Sequence, residues 1–241
     1  IYEILVNLYH KKTYFLQLGN VYSELDREKD YMITLKAAHA KDLLDKQSEY
    51  LALAQLLLLN QNPYWAAEVI VSGQKKITTY TETVKDKVTG EEKKIEKTGP
   101  VVKDTEKNLR LLADSWRMAQ EIDKAIPVLE KAAKLSKEGK PYVLLGNLYL
   151  SEDKVQLAVD AILKGLKKGK IDKLSQVHLT LGQAYFELQK FDEAKKEFRI
   201  AARDKDKTIK STANNWIKYT ENEEIRVKNL ALRREYIQSQ S

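Results

Sequence analysis

The sequence contains no cysteine, which excludes disulfide bonds, thiolate catalysis, cysteine-ligated zinc and iron–sulfur clusters. Proline and glycine are scarce, with four and nine residues in 241, so little interrupts regular structure. The longest apolar-rich run, Leu51 to Leu59, is far shorter than the roughly 20 residues that a membrane-spanning helix needs. We predict a buried helix there and no membrane span in this chain.

The abundant residues are Ala, Leu, Lys, Glu and Gln, a composition typical of a mostly helical protein. The net charge of +7 raises the question of nucleic-acid or polyanion binding. However, the 42 basic residues are closely matched by 35 acidic ones, and the densest lysine cluster, residues 164–173, falls where a helix is predicted to end. Cations there favour the helix dipole, so the charge pattern disfavours nucleic-acid binding, and a polyanion or nucleic-acid binder stays the alternative function. The chain begins with Ile1 and not Met, and we expect it to be part of a longer protein.

An internal repeat sets the organisation of the chain. Residues 142–149 and 178–185 share one pattern, and their glycines, Gly146 and Gly182, are 36 residues apart. The same pattern predicts five helix–turn–helix units, each with a small residue on its first helix: Gly19, Ala54, Ala113, Gly146 and Gly182. We expect the second helix to approach closely at that residue, with a second small residue opposite in four units: Ala66, Ala125, Ala158 and Ala194. The first unit departs from this pattern, because Tyr31 stands opposite Gly19.

The last unit, Leu181-Gly182…Tyr185…Phe191…Ala194…Phe198…Ala201, resembles the tetratricopeptide repeat (TPR). The resemblance implies an all-α fold, a right-handed α-solenoid of TPR helix pairs with a concave groove lined mainly by the first helices. Five segments follow: residues 1–12 as the second helix of a preceding repeat, 13–77 as units one and two, 78–103 as an insertion, 104–206 as units three to five, and 207–241 as a C-terminal capping helix and tail.

The insertion breaks the period between units two and three. It is rich in β-branched residues, and Val84 and Val88 precede Thr89-Gly90. This pattern indicates either a β-hairpin that turns near Gly90 or a mobile loop.

Residues suited to catalysis are few. The three histidines fall in three different units without a second metal ligand at suitable spacing, and no Gly-rich phosphate loop or Gly-x-Ser-x-Gly sequence occurs. We therefore expect a non-catalytic protein with no metal and no cofactor.

Polar residues recur directly after the small residue of each first helix. An amide both donates to and accepts from an extended peptide backbone, so such a row favours binding of a protein partner, although ordinary solvated side chains remain the alternative. Two arginines flank the acidic member of the row, either to bind an acidic partner group or to pair with it. The candidate partner-binding residues are Asn20, Gln55, Arg110, Asp114, Arg117, Asn147 and Gln183.

A narrower resemblance rests on residues 116–135, 145–149, 162–169 and 215–219. These segments are similar to TPR proteins encoded beside TonB–ExbB–ExbD energy-transduction systems of Gram-negative bacteria. That resemblance implies a periplasmic, non-catalytic scaffold that assists TonB-dependent transport, with components of the TonB–ExbB–ExbD complex as partners. An adaptor for another cell-envelope assembly is a further alternative.

Overall fold

The structure, a computed structural model, describes residues 1–85 and 92–240. These residues form helix after helix, interrupted once by a two-stranded antiparallel sheet. The elements are α1 (Tyr2–Leu8), α2 (Lys12–Glu24), α3 (Glu28–Ala40), α4 (Gln47–Leu59), α5 (Pro63–Lys75), β1 (Ile77–Lys85), β2 (Glu92–Pro100), α6 (Glu106–Met118), α7 (Ile122–Leu135), α8 (Lys140–Ser151), α9 (Val155–Lys168), α10 (Leu174–Glu187), α11 (Phe191–Ala201) and α12 (Lys207–Ser239). The predicted all-α fold of TPR-like helix pairs, with a hairpin and a C-terminal helix, is confirmed.

The chain divides into two compact units, Ile1–Ala132 and Ala133–Ser241. In the first unit each of α2 to α5 packs on the helix before it, and α6 packs on α5. In the second unit α8 to α12 pack in the same sequential way. Sequential packing of antiparallel helix pairs is the arrangement of an α-solenoid, and it holds within each unit.

One turn recurs inside all five predicted helix pairs. The second residue after the first helix adopts a left-handed conformation, with φ between 53° and 63°, although none of the five is glycine: Asp26, Gln61, Gln120, Asp153 and Gln189. In each turn the next N–H donates to a carbonyl five residues back, as Arg27 does to Tyr22 at 2.8 Å and Lys190 to Tyr185 at 2.9 Å. This is a Schellman ending, and it reverses the chain between the two helices of every pair.

The small residues of the first helices are buried, but their contacts differ from the prediction. A Cβ placed on Gly182 would lie 2.5 Å from the ring of Phe198, and one on Gly146 would lie 2.5 Å from the side chain of Ile162. Gly146 and Gly182 therefore mainly contact large side chains, Ile162 and Phe198, which lie one helical turn after the expected Ala158 and Ala194. Ala158 contributes its carbonyl oxygen at Gly146, 3.1 Å from that Cβ position.

The insertion forms a hairpin whose register runs from Ile77 opposite Pro100 to Lys85 opposite Glu92. Two backbone bonds join its base to α5: Val101 N–H donates to the Lys76 carbonyl at 2.8 Å, and Val102 N–H to the Gly73 carbonyl at 3.0 Å. Val102 is fully buried, so the chain is anchored again directly after the hairpin. The predicted turn near Gly90 lies outside the described residues.

The glycine-rich end of α9 serves close backbone packing in the second unit. Gly139 N–H donates to the Gly169 carbonyl at 2.7 Å, and a Cβ on Gly139 would lie 2.0 Å from the Gly165 carbonyl oxygen. From the same helix end, the Lys168 ammonium donates to the carbonyls of Ala133 and Ser136 at 2.9 and 2.5 Å. Lys168 therefore caps free carbonyls at the end of α7.

Helix α12 packs on α11 through its first half. The Trp216 ring stacks on Phe198 with centroids 5.5 Å apart, and Ala213 and Thr220 are fully buried. An ion pair between Lys195 of α11 and Glu224 of α12, at 2.7 Å, lies beyond these contacts. Within the described chain we find no helix with the length and apolar character needed to cross a membrane.

Candidate functional site

The seven predicted binding residues all lie on the first helices of their pairs. Asn20 is on α2, Gln55 on α4, Asn147 on α8 and Gln183 on α10, while α6 carries both arginines and Asp114. Each member of the polar row follows a buried Gly or Ala and is itself exposed or half-exposed. The helical geometry therefore turns the small residue towards the second helix and leaves its polar neighbour accessible.

Three of the seven come together in the first unit. Gln55 of α4 and Arg110 and Asp114 of α6 line one surface pocket of about 320 Å³, which we call the groove pocket. Leu51 and Leu111, both half-buried, add apolar surface between the polar groups. A pocket with an apolar floor and several convergent polar groups suits a side chain of an extended peptide.

A hydrogen-bond network around the buried Asn108 joins the two helices that form the groove pocket. The Gln47 side-chain oxygen, at the start of α4, accepts from the Asn108 side-chain amide and from the Lys103 backbone N–H, both at 3.0 Å. Asn108 also donates to the Lys103 carbonyl at 2.8 Å, and the residue is only 3% exposed. Because a buried amide that loses a partner is costly, this network holds α6 against the start of α4.

The charges on α6 are arranged differently from the prediction. Arg117 pairs with Asp114 at 3.5 Å, whereas Arg110 pairs with Glu106 at 3.3 Å and not with Asp114. Both pairs are substantially exposed, so each contributes little to stability and can be exchanged for a ligand contact. Arg117 does not line the groove pocket, but it neutralises the carboxylate that does.

Sequence reasoning missed several residues of this pocket. Leu51, Glu106 and Asn108 were not proposed, although Leu51 stands four residues before Gln55 and therefore shares its helix face. That spacing was the available signal. The remaining candidates lie elsewhere: Asn20 is exposed on α2, and Asn147 and Gln183 are in the second unit. Their role in binding stays a prediction.

The histidine contacts are those of structural side chains. His39 Nε2 lies 2.7 Å from the Ser72 hydroxyl, but that hydroxyl donates to the Val69 carbonyl at 2.8 Å, so the imidazole is not placed to take its proton. Burial lowers the pKa of His39, which favours a neutral ring. His178 Nδ1 contacts Glu197 at 2.6 Å. Over residues 1–85 and 92–240, no cluster of three or more His, Asp or Glu side chains is arranged to hold a metal ion.

Comparison with known proteins agrees with this architecture. Residues 175–202, which cover α10 and α11, match the family model for the tetratricopeptide repeat. The fold is that of a TPR protein. No curated protein matches the sequence significantly.

Several solved structures share the fold at low sequence identity. A crystal structure of MamA protein is 18% identical, with 79% of this chain and 89% of that chain covered and a TM-score of 0.57. The structure of YrrB, described as a TPR protein with an unusual peptide-binding site, is 10% identical, with 89% and 97% covered and a TM-score of 0.60. The C-terminal part of a TPR protein from Cytophaga hutchinsonii is 14% identical, with 78% and 64% covered and a TM-score of 0.53.

Proposed function

We propose that the chain is a non-catalytic scaffold that binds an extended segment of a protein partner along the first helices of its pairs. The observation that carries the proposal is the groove pocket, where Gln55, Arg110 and Asp114 converge beside two leucines. The Gln55 amide can both donate a hydrogen bond to a peptide backbone and accept one from it. Arg110 and Asp114 can each exchange an intramolecular ion pair for an ion pair with a partner group. Leu51 and Leu111 supply the apolar contact that gives such a site affinity.

In the second unit Asn147 and Gln183 occupy the corresponding positions on α8 and α10, and we propose that they contact a partner in the same way. For the partner we propose components of a TonB–ExbB–ExbD complex and a periplasmic location. This part rests on the resemblance of residues 116–135, 145–149, 162–169 and 215–219 to the TPR proteins encoded beside such systems.

The groove is tested by measuring binding of the purified chain to isolated periplasmic domains of TonB and ExbD. We expect Gln55→Ala with Asp114→Ala to weaken binding about tenfold, a loss of about 1.4 kcal/mol. Asn147→Ala with Gln183→Ala should act in the same direction. The matched control is Asn229→Ala, an exposed amide on α12, which should leave affinity unchanged.

The outcomes separate the two levels of the proposal. If both groove variants bind as tightly as the parent chain, the groove is not the binding surface. If neither periplasmic domain binds the parent chain, the TonB assignment is lost and the scaffold needs another partner.

A further inference from the structure

The first half of α12 keeps the pattern of a first helix. The buried Ala213 is followed three residues later by Trp216, as Gly182 of α10 is followed by Tyr185. After Trp216 the helix continues without a turn to Ser239. Helix α12 packs on α11 and also contacts α10, so its surface continues that of the preceding first helix.

A surface pocket of about 230 Å³ lies on this part of α12, and we call it the aromatic notch. Its lining residues are Thr212, Asn215, Trp216 and Tyr219. They are spaced at i, i+3, i+4 and i+7 and therefore share one face of the helix.

Two aromatic rings of the notch are held in place by neighbouring helices. The Trp216 and Tyr219 rings lie 5.7 Å apart, centre to centre, at 80° to each other. The Trp216 ring is stacked on the fully buried Phe198 of α11. Phe186 of α10 contacts both, with ring centres 5.6 Å from Trp216 and 5.2 Å from Tyr219. Because these contacts fix the rings before a ligand arrives, little side-chain freedom is lost on binding.

The aromatic notch adjoins the face of α10 that carries Gln183. Phe186 stands three residues after Gln183, so the two side chains are neighbours on the surface of α10. Phe186 in turn contacts both rings of the notch. Each of these two steps spans about 5–6 Å, so a segment that pairs with the Gln183 amide reaches the notch within about four residues of extended chain.

The lining of the notch is uncharged, and its polar groups are free. Among the residues that the structure describes, none forms a hydrogen bond with the Trp216 indole N–H, the Asn215 side-chain amide or the Tyr219 hydroxyl. One turn further along this face, Glu223 and Arg226 are hydrogen-bonded to each other at 2.5 and 2.8 Å. The electrostatic complement of the notch is therefore an uncharged segment that offers hydrogen-bond acceptors.

A proline-rich segment has this chemistry. Segments in the polyproline II conformation dock on aromatic-lined surfaces, and their backbone carbonyls stay free to accept hydrogen bonds. Proline itself has no N–H that would need an acceptor in the notch. The Trp216 indole and the Asn215 amide supply the donors that such carbonyls need. A nucleic-acid base also stacks on aromatic rings, but no lysine or arginine lines the notch to bind its phosphate.

We propose that the aromatic notch binds a proline-rich stretch of the partner, with a proline ring between Trp216 and Tyr219 and a carbonyl on the Trp216 indole N–H. This inference rests on the proposed function in that the partner is a protein bound along the first helices. It adds the chemical class of the bound segment and makes α12 part of the recognition surface.

The test is two-dimensional proton–nitrogen NMR of the full chain, in which three tryptophans give three indole N–H signals. The probe is the nonapeptide (Ala-Pro-Pro)₃. The matched probes are (Ala-Leu-Ser)₃, which is apolar without proline, and a single-stranded oligothymidine of equal length. We expect the Trp216 signal, identified with Trp216→Phe, to shift with the proline peptide while the Trp65 and Trp116 signals of the first unit stay in place.

Titration gives the affinity of each variant for the proline peptide. Tyr219→Ala removes one wall of the notch and should weaken binding about tenfold. Asn215→Ala removes one hydrogen bond and should weaken it about threefold. The matched control Tyr236→Ala removes an exposed tyrosine of the same helix outside the notch, and it should change the affinity by less than about twofold. Circular dichroism verifies that Tyr219→Ala folds, and the exposed Asn215→Ala serves if it does not.

Equal affinity for (Ala-Leu-Ser)₃ would show a general apolar contact and would overturn the proposal. So would tighter binding of the oligothymidine at the Trp216 signal, an equal loss in Tyr236→Ala, an equal shift of the Trp65 signal, or no shift at about 1 mM peptide. If the Trp216 signal does not respond while Gln55→Ala with Asp114→Ala still weakens binding of the protein partner, this inference fails and the proposed function stands. If those groove variants bind the partner normally while the notch binds the proline peptide, the groove assignment fails and the notch remains.

Discussion

Gly182 offers a sharp test of how the helix pairs are packed. A Cβ at this position would lie 2.5, 2.6 and 3.0 Å from three atoms of the Phe198 ring. Phe198 is fully buried and stacked on Trp216, so the ring cannot move aside without disturbing α12. Gly182→Ala therefore forces α10 and α11 apart, although alanine is the better helix former.

The expected size follows from two opposing effects. Overpacking of a rigid core site costs about 1–3 kcal/mol, and we expect the upper part of that range because three ring atoms are too close. Replacing a helical glycine by alanine stabilises by about 1 kcal/mol. The net loss in the free energy of unfolding should be about 1–2 kcal/mol, local to α10 and α11.

Native-state hydrogen exchange measured by mass spectrometry suits this prediction, because it reports the opening free energy of each helix separately. The control is Gly19→Ala in α2, where the added Cβ meets only the Tyr31 ring, at 2.8 and 2.9 Å. Tyr31 is only half-buried and can turn away, so this variant should be neutral or slightly stabilising. If Gly182→Ala also stabilises its helices by about 1 kcal/mol, helix propensity dominates and the contact argument is wrong.

Two further predictions concern the network at the groove and the packing of α12. Gln47→Ala removes the acceptor of the buried Asn108 amide and should destabilise α4 and α6 by about 1–3 kcal/mol in urea unfolding, whereas an unchanged midpoint would mean that the network does not hold these helices. Glu224 accepts hydrogen bonds from Lys195 and Lys228, which lower its pKa from 4.5 to about 2. A carboxylate whose pKa is lowered by folding contributes its full stabilisation at pH values above its pKa in the unfolded chain. That contribution is lost as the pH falls through its pKa in the folded chain. Exchange protection of α12 should therefore drop between about pH 4.5 and 2 more steeply in the parent chain than in Glu224→Gln, and identical pH profiles would contradict the assignment.

The repeat and its helices could be predicted from the sequence because spacing along one helix fixes which residues share a face. The buried positions of Gly146 and Gly182 and the late helix followed from that local information, whereas the insertion was left open between a hairpin and a loop. The partner of each glycine did not, since the contact with Ile162 or Phe198 depends on the angle at which two helices cross. The five turns were also not anticipated, because their left-handed residues are Asp and Gln, without the glycine that usually marks such a position.

The candidate site was predictable only in part. The polar row was found by its position after the small residue, and Gln55 and Asp114 do line a pocket. The network of Gln47, Lys103 and Asn108 joins residues 56 and 61 positions apart, and no periodic pattern signals such a contact.

The recurring turn between paired helices has a consequence for how such a chain can change over time. The reversal depends on one backbone conformation and two main-chain hydrogen bonds, and side chains as different as Asp and Gln occupy it. Mutation can therefore replace most residues on the outer surface of a pair without altering the angle at which its helices meet. Main-chain hydrogen bonds maintain the reversal between the helices, so the side chains along the groove can change to bind new ligands.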